Sequence, residues 1–351
     1  MDNFSERWVA SRNSPVLVTG AAGFIGSRTV NTLMKLGFKN VRCFVRPSSN
    51  VTMLEKVLNS YSHHKAEVIS GNLMSRDDCA GAVKNVKVIF HLVAGRGKSF
   101  PACFQNSVLT TRNLLDAITA ENVLARFVNV SSFAVYSNLG LRRGAVLDET
   151  CKLEDNLERR YDSYVYGKLK QDELVQEYHD RYGIPFVTVR PSVVFGPGRK
   201  GIPGAVGMDT FGFFMHLGGN NQLPLTYVDN CADAIVLAGL VRGIDGRTYV
   251  VVDDDLPTSS FFLRRYKAEV AGIRSLTIPY PLFYSFCALW EYYARRSEEQ
   301  LPPVFNRRFC SFNWKGHRYS NRRIKQDLGW KPQIPMDEAL QRYFEYQRTG
   351  E

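Results

Sequence analysis

Residues 15–26 read Pro15-Val16-Leu17-Val18-Thr19-Gly20-Ala21-Ala22-Gly23-Phe24-Ile25-Gly26. The opening five are a short apolar, β-branched run that ends at glycine, the pattern of a strand buried in a parallel sheet. Behind them the glycines fall at the spacing G-x-x-G-x-x-G, and a helical stretch runs from about Phe24 to Leu36 and is closed by Gly37. Each glycine has a task in such a turn. Gly20 lets the chain leave the strand tightly, Gly23 lets backbone approach a pyrophosphate, and Gly26 lets the helix pack against the strand. The helix opening at Phe24 and Ile25 then faces the phosphates with free N–H groups and a favourable dipole. Strand, turn and helix in this order predict a dinucleotide site.

Outward from that point, strand patterns recur at Val41–Val45, Glu67–Ser70, Val86–Leu92, Phe127–Val130, Phe186–Val189 and Tyr249–Val252. Helical patterns such as Asn106–Ala120 and Tyr164–Tyr182 lie between them. The alternation predicts a doubly wound, Rossmann-type α/β parallel sheet. Past Pro197 the rhythm changes, beginning with the loop Gly196-Pro197-Gly198-Arg199-Lys200-Gly201-Ile202-Pro203-Gly204, and the chain beyond Pro257 is mostly helical and loop-like. We therefore expect a dinucleotide-binding domain from residues 1–196 and 225–254. Residues 197–224 and 255–351 form a smaller, discontinuous C-terminal substrate lobe in this division.

The end of the second strand bears on the choice of dinucleotide. An NAD site places an acid on the ribose 2′-hydroxyl about 20 residues past the motif. Here the region reads Val45-Arg46-Pro47-Ser48-Ser49, without an acid. Arg46 suits a 2′-phosphate, with Ser48 and Ser49 adding hydrogen bonds, so NADP is favoured over NAD. The plainer reading makes Arg46 a solvated strand-end charge.

Ser131 and Ser132 follow the strand Phe127–Val130, at a carboxyl end where ligands of parallel sheets bind. Further on comes Asp162-Ser163-Tyr164-Val165-Tyr166-Gly167-Lys168-Leu169-Lys170. A tyrosine and a lysine four apart share one helix face. A phenol with an ordinary pKa of about 10 is a poor base at neutral pH, and a nearby ammonium favours its phenolate. With a serine hydroxyl to hold the substrate oxygen, this set suits redox chemistry at a carbinol. The spacing occurs twice, as Tyr164/Lys168 and Tyr166/Lys170, and only one pair can face a cofactor.

Together these stretches resemble the extended short-chain dehydrogenase/reductases, the NAD-dependent epimerase/dehydratase group. Val16–Gly26 looks like the family's opening, and Val88-Ile89-Phe90-His91-Leu92-Val93-Ala94 is similar to its fourth-strand segment beside the cofactor. Phe127–Tyr136 resembles its serine segment, and Tyr164-Val165-Tyr166-Gly167-Lys168 falls on its active tyrosine and lysine. Arg190–Gly198, Pro224–Ile235 and Tyr319–Pro332 are similar to later family segments. The resemblance implies Ser132, Tyr164 and Lys168 as the catalytic set, with Lys168 also holding the nicotinamide ribose and Asn106 on the neighbouring helix. It adds Asn72, Leu73, Leu92, Ala94, Pro191 and Val193 to the residues around the cofactor. Asn72 stands where many members have an aspartate beside adenine. Val193 stands where nucleotide-sugar members often carry asparagine, and Phe133 and Ala134 replace the dehydratase acids. These departures look more like the hydroxysteroid dehydrogenase and dihydroflavonol reductase branches.

The implied activity is an NAD(P)-dependent oxidoreductase that moves hydride between nicotinamide and a substrate C–OH or C=O. A nucleotide-sugar epimerase working by transient oxidation uses the same residues. A catalytically silent NADP-sensing regulator is the rival from another class, although a sensor needs only the glycine turn.

Composition fits a globular chain: 351 residues, 44% hydrophobic and 23% charged. The net charge of +11 points to anionic partners, so the small-molecule substrate is expected to tolerate or carry negative charge. The seven scattered cysteines form no CxxC, which favours a reducing cytoplasm over a disulfide framework. The polar Met1–Ser14 lacks a secretory apolar core. The six histidines, His63-His64 included, show no metal spacing, so no metal is expected. Residues 295–325 are strongly basic and read either as a solvated face or as a pocket lip; their basic charge interleaved with Phe309, Phe312 and Trp314 is assigned to the substrate lobe, not to nucleic acid. The apolar run Pro281–Trp290 is too short to span a membrane, so no transmembrane segment is expected. It reads first as core packing, with a pocket wall or a surface anchor as the alternatives. The resemblance leaves room for a homodimer.

Overall fold

Seven apolar strands hydrogen-bond side by side: Val16–Thr19 (β1), Asn40–Val45 (β2), Lys65–Ser70 (β3), Val88–His91 (β4), Arg126–Val130 (β5), Phe186–Pro191 (β6) and Thr248–Val251 (β7). Every pairing is parallel and the order is β7-β6-β5-β4-β1-β2-β3. The computed structural model describes residues 7–61, 65–95, 99–210, 212–297 and 300–350; His63-His64 and Met1–Glu6 lie outside the described residues. The chain runs outward from β1 to β3, then returns to β4 on β1's other side. The crevice at this reversal, outside the carboxyl ends of β1 and β4, is where open α/β sheets bind ligands.

Side-chain alternation explains why the sheet is covered on both faces. Val16, Val18, Val88, Phe90, Val128 and Val130 enter one core with Val30 and Leu33 of the helix Phe24–Lys35 and Cys231 and Ile235 of the helix Val228–Leu240. Leu17, Ile89 and Phe127 enter the other, with Cys79, Leu114, Leu115, Ile118 and Val175. Two-sided burial is why these strands read as continuous apolar runs.

Several short elements were not expected from the sequence. Gly207–Thr210, Phe213–His216 and Ser275–Thr277 form a three-stranded sheet. Val193–Phe195 pairs with Leu225–Tyr227, and Val146–Leu147 with Arg318–Tyr319. The helix expected at Asn106–Ala120 starts earlier, at Phe100, and contains a π turn over Gln105–Leu109 before continuing as Thr110–Glu121. Beyond residue 257 the chain is largely helical: Ser259–Glu269, Tyr280–Arg296, Arg307–Trp314, Arg322–Leu328 and Met336–Thr349.

Part of the basic stretch 295–325 is a solvated face, with Arg295, Arg296, Arg307, Arg318 and Arg322 exposed, and several of its cations are paired. Arg307 pairs with Glu291, Arg308 with Glu154 and Asp155, Arg323 with Glu149, and Lys325 with Asp254. These pairs tie the C-terminal segment to the rest of the chain. Asn230 adds a neutral clasp: its Nδ2 donates to Ile334 O at 2.9 Å, and its Oδ1 accepts from Gln333 N and Ile334 N, each at 3.0 Å.

At the end of β4, His91 is fully buried between two threonines, with Nδ1 2.8 Å from Thr19 Oγ1 and Nε2 2.9 Å from Thr111 Oγ1. Thr111 donates its own hydroxyl to Ser107 O, so it accepts from Nε2–H and the ring is the neutral Nε2 tautomer. Burial, aided by the nearby Lys168 charge, pulls the imidazole pKa down to about 3. An unfolded histidine titrates near 6.5, so between pH 6.5 and about 3 the unfolded chain binds the extra proton, and this group makes stability fall as pH falls. His91→Gln is expected to remove about 2 kcal/mol of the stability difference between pH 7 and pH 5. Urea unfolding at the two pH values checks this, and an unchanged difference would exclude a buried neutral ring.

Candidate active site

The first loop fits a bound pyrophosphate for reasons visible in its backbone. Gly20 has φ +73°, and a Cβ there would lie 3.4 Å from the Leu92 carbonyl carbon. A Cβ on Gly26 would sit 2.1 Å from Gly20 O, so only glycine lets this helix approach its strand. Gly23 caps the helix Phe24–Lys35 without a side-chain acceptor, and no acid occupies the first turn. Gly20 N and Gly23 N donate within the fold, to Phe44 O and Gly20 O, so it is the N–H groups at the helix start and the helix dipole that can meet an external anion. Leu92 and Ala94 lie half-buried on the loop after β4, where Leu92 N donates to Thr19 O at 3.2 Å. Leu73 is buried beside the exposed Asn72, whose N–H donates to Asp78 Oδ2 at 2.7 Å. Asp78, which the sequence reading did not single out, props this turn. Arg46 and Ser48 are exposed beyond the end of β2.

At the end of β5 the two serines separate. Ser131 Oγ donates to Asp172 Oδ2 at 2.8 Å and is buried. Ser132 is half-buried and accepts from Ala134 N at 3.2 Å, capping the short turn Phe133–Val135. That bond leaves its O–H proton uncommitted. It faces a cavity of about 70 Å³, shared with Pro191, Val193, Phe133, Leu147, Phe312, Asn313 and Tyr319. Pro191 and Val193, expected around the cofactor, therefore meet Ser132 at one cavity with residues from the C-terminal segment. Burial raises the Tyr319 hydroxyl pKa well above its ordinary value.

The helix Ser163–Tyr182 begins at Asp162, whose Oδ1 accepts from Val165 N at 3.1 Å. Tyr164, half-buried, packs against the cluster of Val135, Val165 and Leu169, of which Val135 lies just past Ser132 in the chain. Lys168 is 2% exposed, and its Nζ donates to Val130 O at 2.7 Å, Gln171 Oε1 at 2.9 Å and Val93 O at 3.1 Å. The second copy of the spacing points elsewhere. Tyr166 meets the rings of Phe100 and Phe104, and Lys170 pairs at the surface with Glu173 at 2.6 Å. Asn106, half-buried in the π turn, donates to Ala102 O at 2.8 Å.

A buried polar chain continues from Lys168. Gln171 Nε2 donates to Asn129 Oδ1 at 3.0 Å, Asn129 Nδ2 to Asp172 Oδ1 at 2.7 Å, and Arg190 to Asp172 Oδ2 at 3.0 Å. The Arg190 guanidinium lies 4.9 Å from the Tyr136 ring centre. Tyr136 is fully buried with its pKa pushed up to about 12, chiefly by burial, so it is a packing residue and not a pocket wall. Sequence reasoning missed Gln171 and Asp172, although both lie one turn beyond Lys168 on the same inward helix face.

The glycine turn after β1, with Lys168 bonded just past the end of β4 and at the end of β5, lies on a doubly wound parallel sheet, the class of Rossmann-type nucleotide-binding folds. The NAD dependent epimerase/dehydratase family profile matches residues 16–251, and the chain belongs to this family, within the extended short-chain dehydrogenase/reductases. It is 26% identical over 348 residues to a sterol-4-alpha-carboxylate 3-dehydrogenase of Candida albicans, covering 93% of this chain and 95% of that protein. It is 28% identical over 350 residues to a 3 beta-hydroxysteroid dehydrogenase/Delta 5→4-isomerase of Mycobacterium tuberculosis, covering 93% and 88%. In fold it is similar to the Bacillus cereus UDP-glucuronic acid 4-epimerase in complex with UDP-glucuronic acid and NAD, with a TM-score of 0.69, 18% identity, and coverage of 95% of this chain and 98% of that one. The protein is thus an enzyme of the NAD-dependent oxidoreductase and epimerase type.

Gly26→Ala drives a methyl group into the Gly20 carbonyl. We expect cofactor affinity to fall at least about tenfold, as one lost charge-assisted contact implies. Gly140→Ala, with open space around its Cβ, is expected to leave it unchanged. Fluorescence titration with NADH and NADPH measures both, and wild-type affinity in Gly26→Ala would remove this turn from the binding site.

Proposed function

We propose that the protein interconverts a secondary alcohol and a ketone on an apolar, sterol- or steroid-like skeleton, using NADP or NAD. The observation that carries this reading is the wall of the cavity beside Ser132. Phe133, Leu147, Val193, Phe312 and Tyr319 line it, with Asn313 and Ser192 as polar points and no charged side chain among its described lining residues. Such a wall suits the part of a hydrocarbon frame next to the reacting oxygen, a cavity of about 70 Å³ taking no more than that part, and offers a sugar diphosphate no cation. The full-length similarity to the Candida and Mycobacterium enzymes supports the same substrate class. In this reading residues 1–196 and 225–254 hold the cofactor, and residues 197–224 and 255–351 shape the substrate side.

The bound nicotinamide supplies a hydride acceptor or donor. Ser132 and Tyr164 hold the reacting oxygen. During oxidation Tyr164 takes the carbinol proton, and during reduction it returns one to the nascent alkoxide. The Lys168 ammonium favours the phenolate, and by family resemblance it also holds the nicotinamide ribose, for which one of its three present bonds opens. Its bonds to Val130 O, Val93 O and Gln171 Oε1 fix where its charge sits. Exposed Arg46, with no acid in Val45–Ser49, supports NADP over NAD through a pairing with the 2′-phosphate.

Tyr164→Phe is expected to lower kcat by about 10²–10⁴, the usual worth of a positioned acid–base group. Cofactor affinity should stay within a few-fold of wild type. Turnover of hydroxysteroids and ketosteroids, followed by NAD(P)H absorbance, tests this, and an active Tyr164→Phe would overturn the assignment. Reduced cofactor should accumulate one-for-one with ketone; inversion of a carbinol centre without accumulation would instead mark an epimerase. Arg46→Asp is expected to move the NADP/NAD ratio of kcat/KM toward NAD by about 10–100-fold, the worth of one charged hydrogen bond. An unchanged ratio would make Arg46 a bystander.

A further inference from the structure

The three bonds of the Lys168 ammonium are of two kinds. Val130 O at 2.7 Å and Val93 O at 3.1 Å are main chain, placed by β5 and by the loop after β4. Gln171 Oε1, at 2.9 Å, belongs to a side chain one turn further along Lys168's own helix, and Gln171 is fully buried. The spacing of tyrosine and lysine says nothing of this third acceptor.

An amide can point either way, and the surrounding bonds decide this one. The Asp172 carboxylate only accepts. One of its oxygens takes a proton of Asn129 Nδ2 at 2.7 Å, and the other accepts from Ser131 Oγ at 2.8 Å and from Arg190 at 3.0 Å. Asn129 therefore turns Oδ1 toward Gln171, whose Nε2 donates to it at 3.0 Å. That leaves Gln171 Oε1 for the ammonium. Turning the Asn129 amide over would set oxygen against carboxylate, and turning the Gln171 amide over would set N–H against ammonium. The direction is thus fixed at the Asp172–Arg190 pair and passed to Lys168 through two neutral amides.

Neutrality is what separates this residue from others of its length. A methionine would leave a buried ammonium proton without its acceptor. A glutamate would accept the bond but cancel the charge. An amide fixes the ammonium and leaves its charge whole. The other ionisable groups around Lys168 do not offset it: His91, at the end of β4, is neutral, and the Asp172 carboxylate is matched by Arg190 of β6. Tyr164 lies one turn back on the same helix.

We propose that Gln171 is a positioning residue: its amide, oriented from Asp172 through Asn129, holds the Lys168 ammonium at the end of β5 with its charge uncancelled, so that this charge serves the Tyr164 phenolate. This rests on the tyrosine–lysine pairing of the proposed function. When the ribose claims an ammonium proton, the longest of the three bonds, to Val93 O, is the one that opens, and Gln171 keeps its hold.

The test reads Tyr164 itself and needs no substrate. Full-length protein is titrated with base, with and without NADP, and tyrosinate is followed by its near-ultraviolet absorbance. Subtracting the same titration of Tyr164→Phe isolates one of the 17 tyrosines. Gln171→Glu and Gln171→Met are compared with the wild type, each with and without Tyr164→Phe, and circular dichroism and thermal melting verify that they fold. Tyr164 of the wild type should ionise below the ordinary phenol value of about 10. Gln171→Glu should move this ionisation up by about one pH unit or more, and Gln171→Met by a smaller step in the same direction. Gln171→Asn, whose amide has a shorter reach, is read in place of a variant that does not fold and should also move it up. A residue that merely braces the helix would lower the melting temperature and leave the titration in place, and a folded variant with that behaviour overturns the proposal. A wild-type Tyr164 that ionises like a free phenol overturns the tyrosine–lysine pairing and this inference with it, whereas a lowered Tyr164 indifferent to residue 171 overturns this inference alone.

Discussion

A lysine ammonium in a dry interior must have its three protons accepted, and Lys168 meets that condition with two main-chain carbonyls and one amide. The carbonyls belong to Val93, in the loop after β4, and Val130, the last residue of β5. One side chain therefore locks the helix Ser163–Tyr182 to the ends of two central strands. Gln171, Asn129, Asp172 and Arg190 extend the lock to β6. The position of Tyr164, and with it the proposed chemistry, follows from where this helix is pinned.

Much of the sheet was legible because two-sided burial leaves a plain trace. Strands such as Val16–Thr19 and Val88–His91 contain little besides large apolar residues, and the glycine turn carries its spacing openly. The short strands were hidden because two to four residues hold too little periodicity, and one pairing, Val146–Leu147 with Arg318–Tyr319, joins segments about half the chain apart. The π turn left no trace because it adds one residue to a helical turn without changing residue type.

The site was legible in part for a similar reason. Tyr164 and Lys168 announce themselves by spacing, but so do Tyr166 and Lys170, and only packing against Phe100 and pairing with Glu173 turn the second set away. Gln171 and Asp172 look like ordinary polar helix residues until Asn129, Ser131 and Arg190 are placed opposite them. In the basic stretch 295–325 formal charge does not reveal that Glu149 and Glu154 wait inside the fold and that Asp254 meets Lys325 nearer the surface. The run Pro281–Trp290 was half right as core, because apolar content alone does not say which side of a helix the protein covers.

The Asn230 clasp has a consequence for how the molecule comes apart. Its amide grips residues 333–334, close to the end of the chain, while its own helix packs under β4 and β5. Asn321 and Lys325 grip the segment just past β7 in the same way. The late residues are thus stitched into the sheet that the early ones build. Such interleaving couples the loss of the late contacts to the loss of the sheet, and a calorimetric scan in which the two melt separately would contradict it.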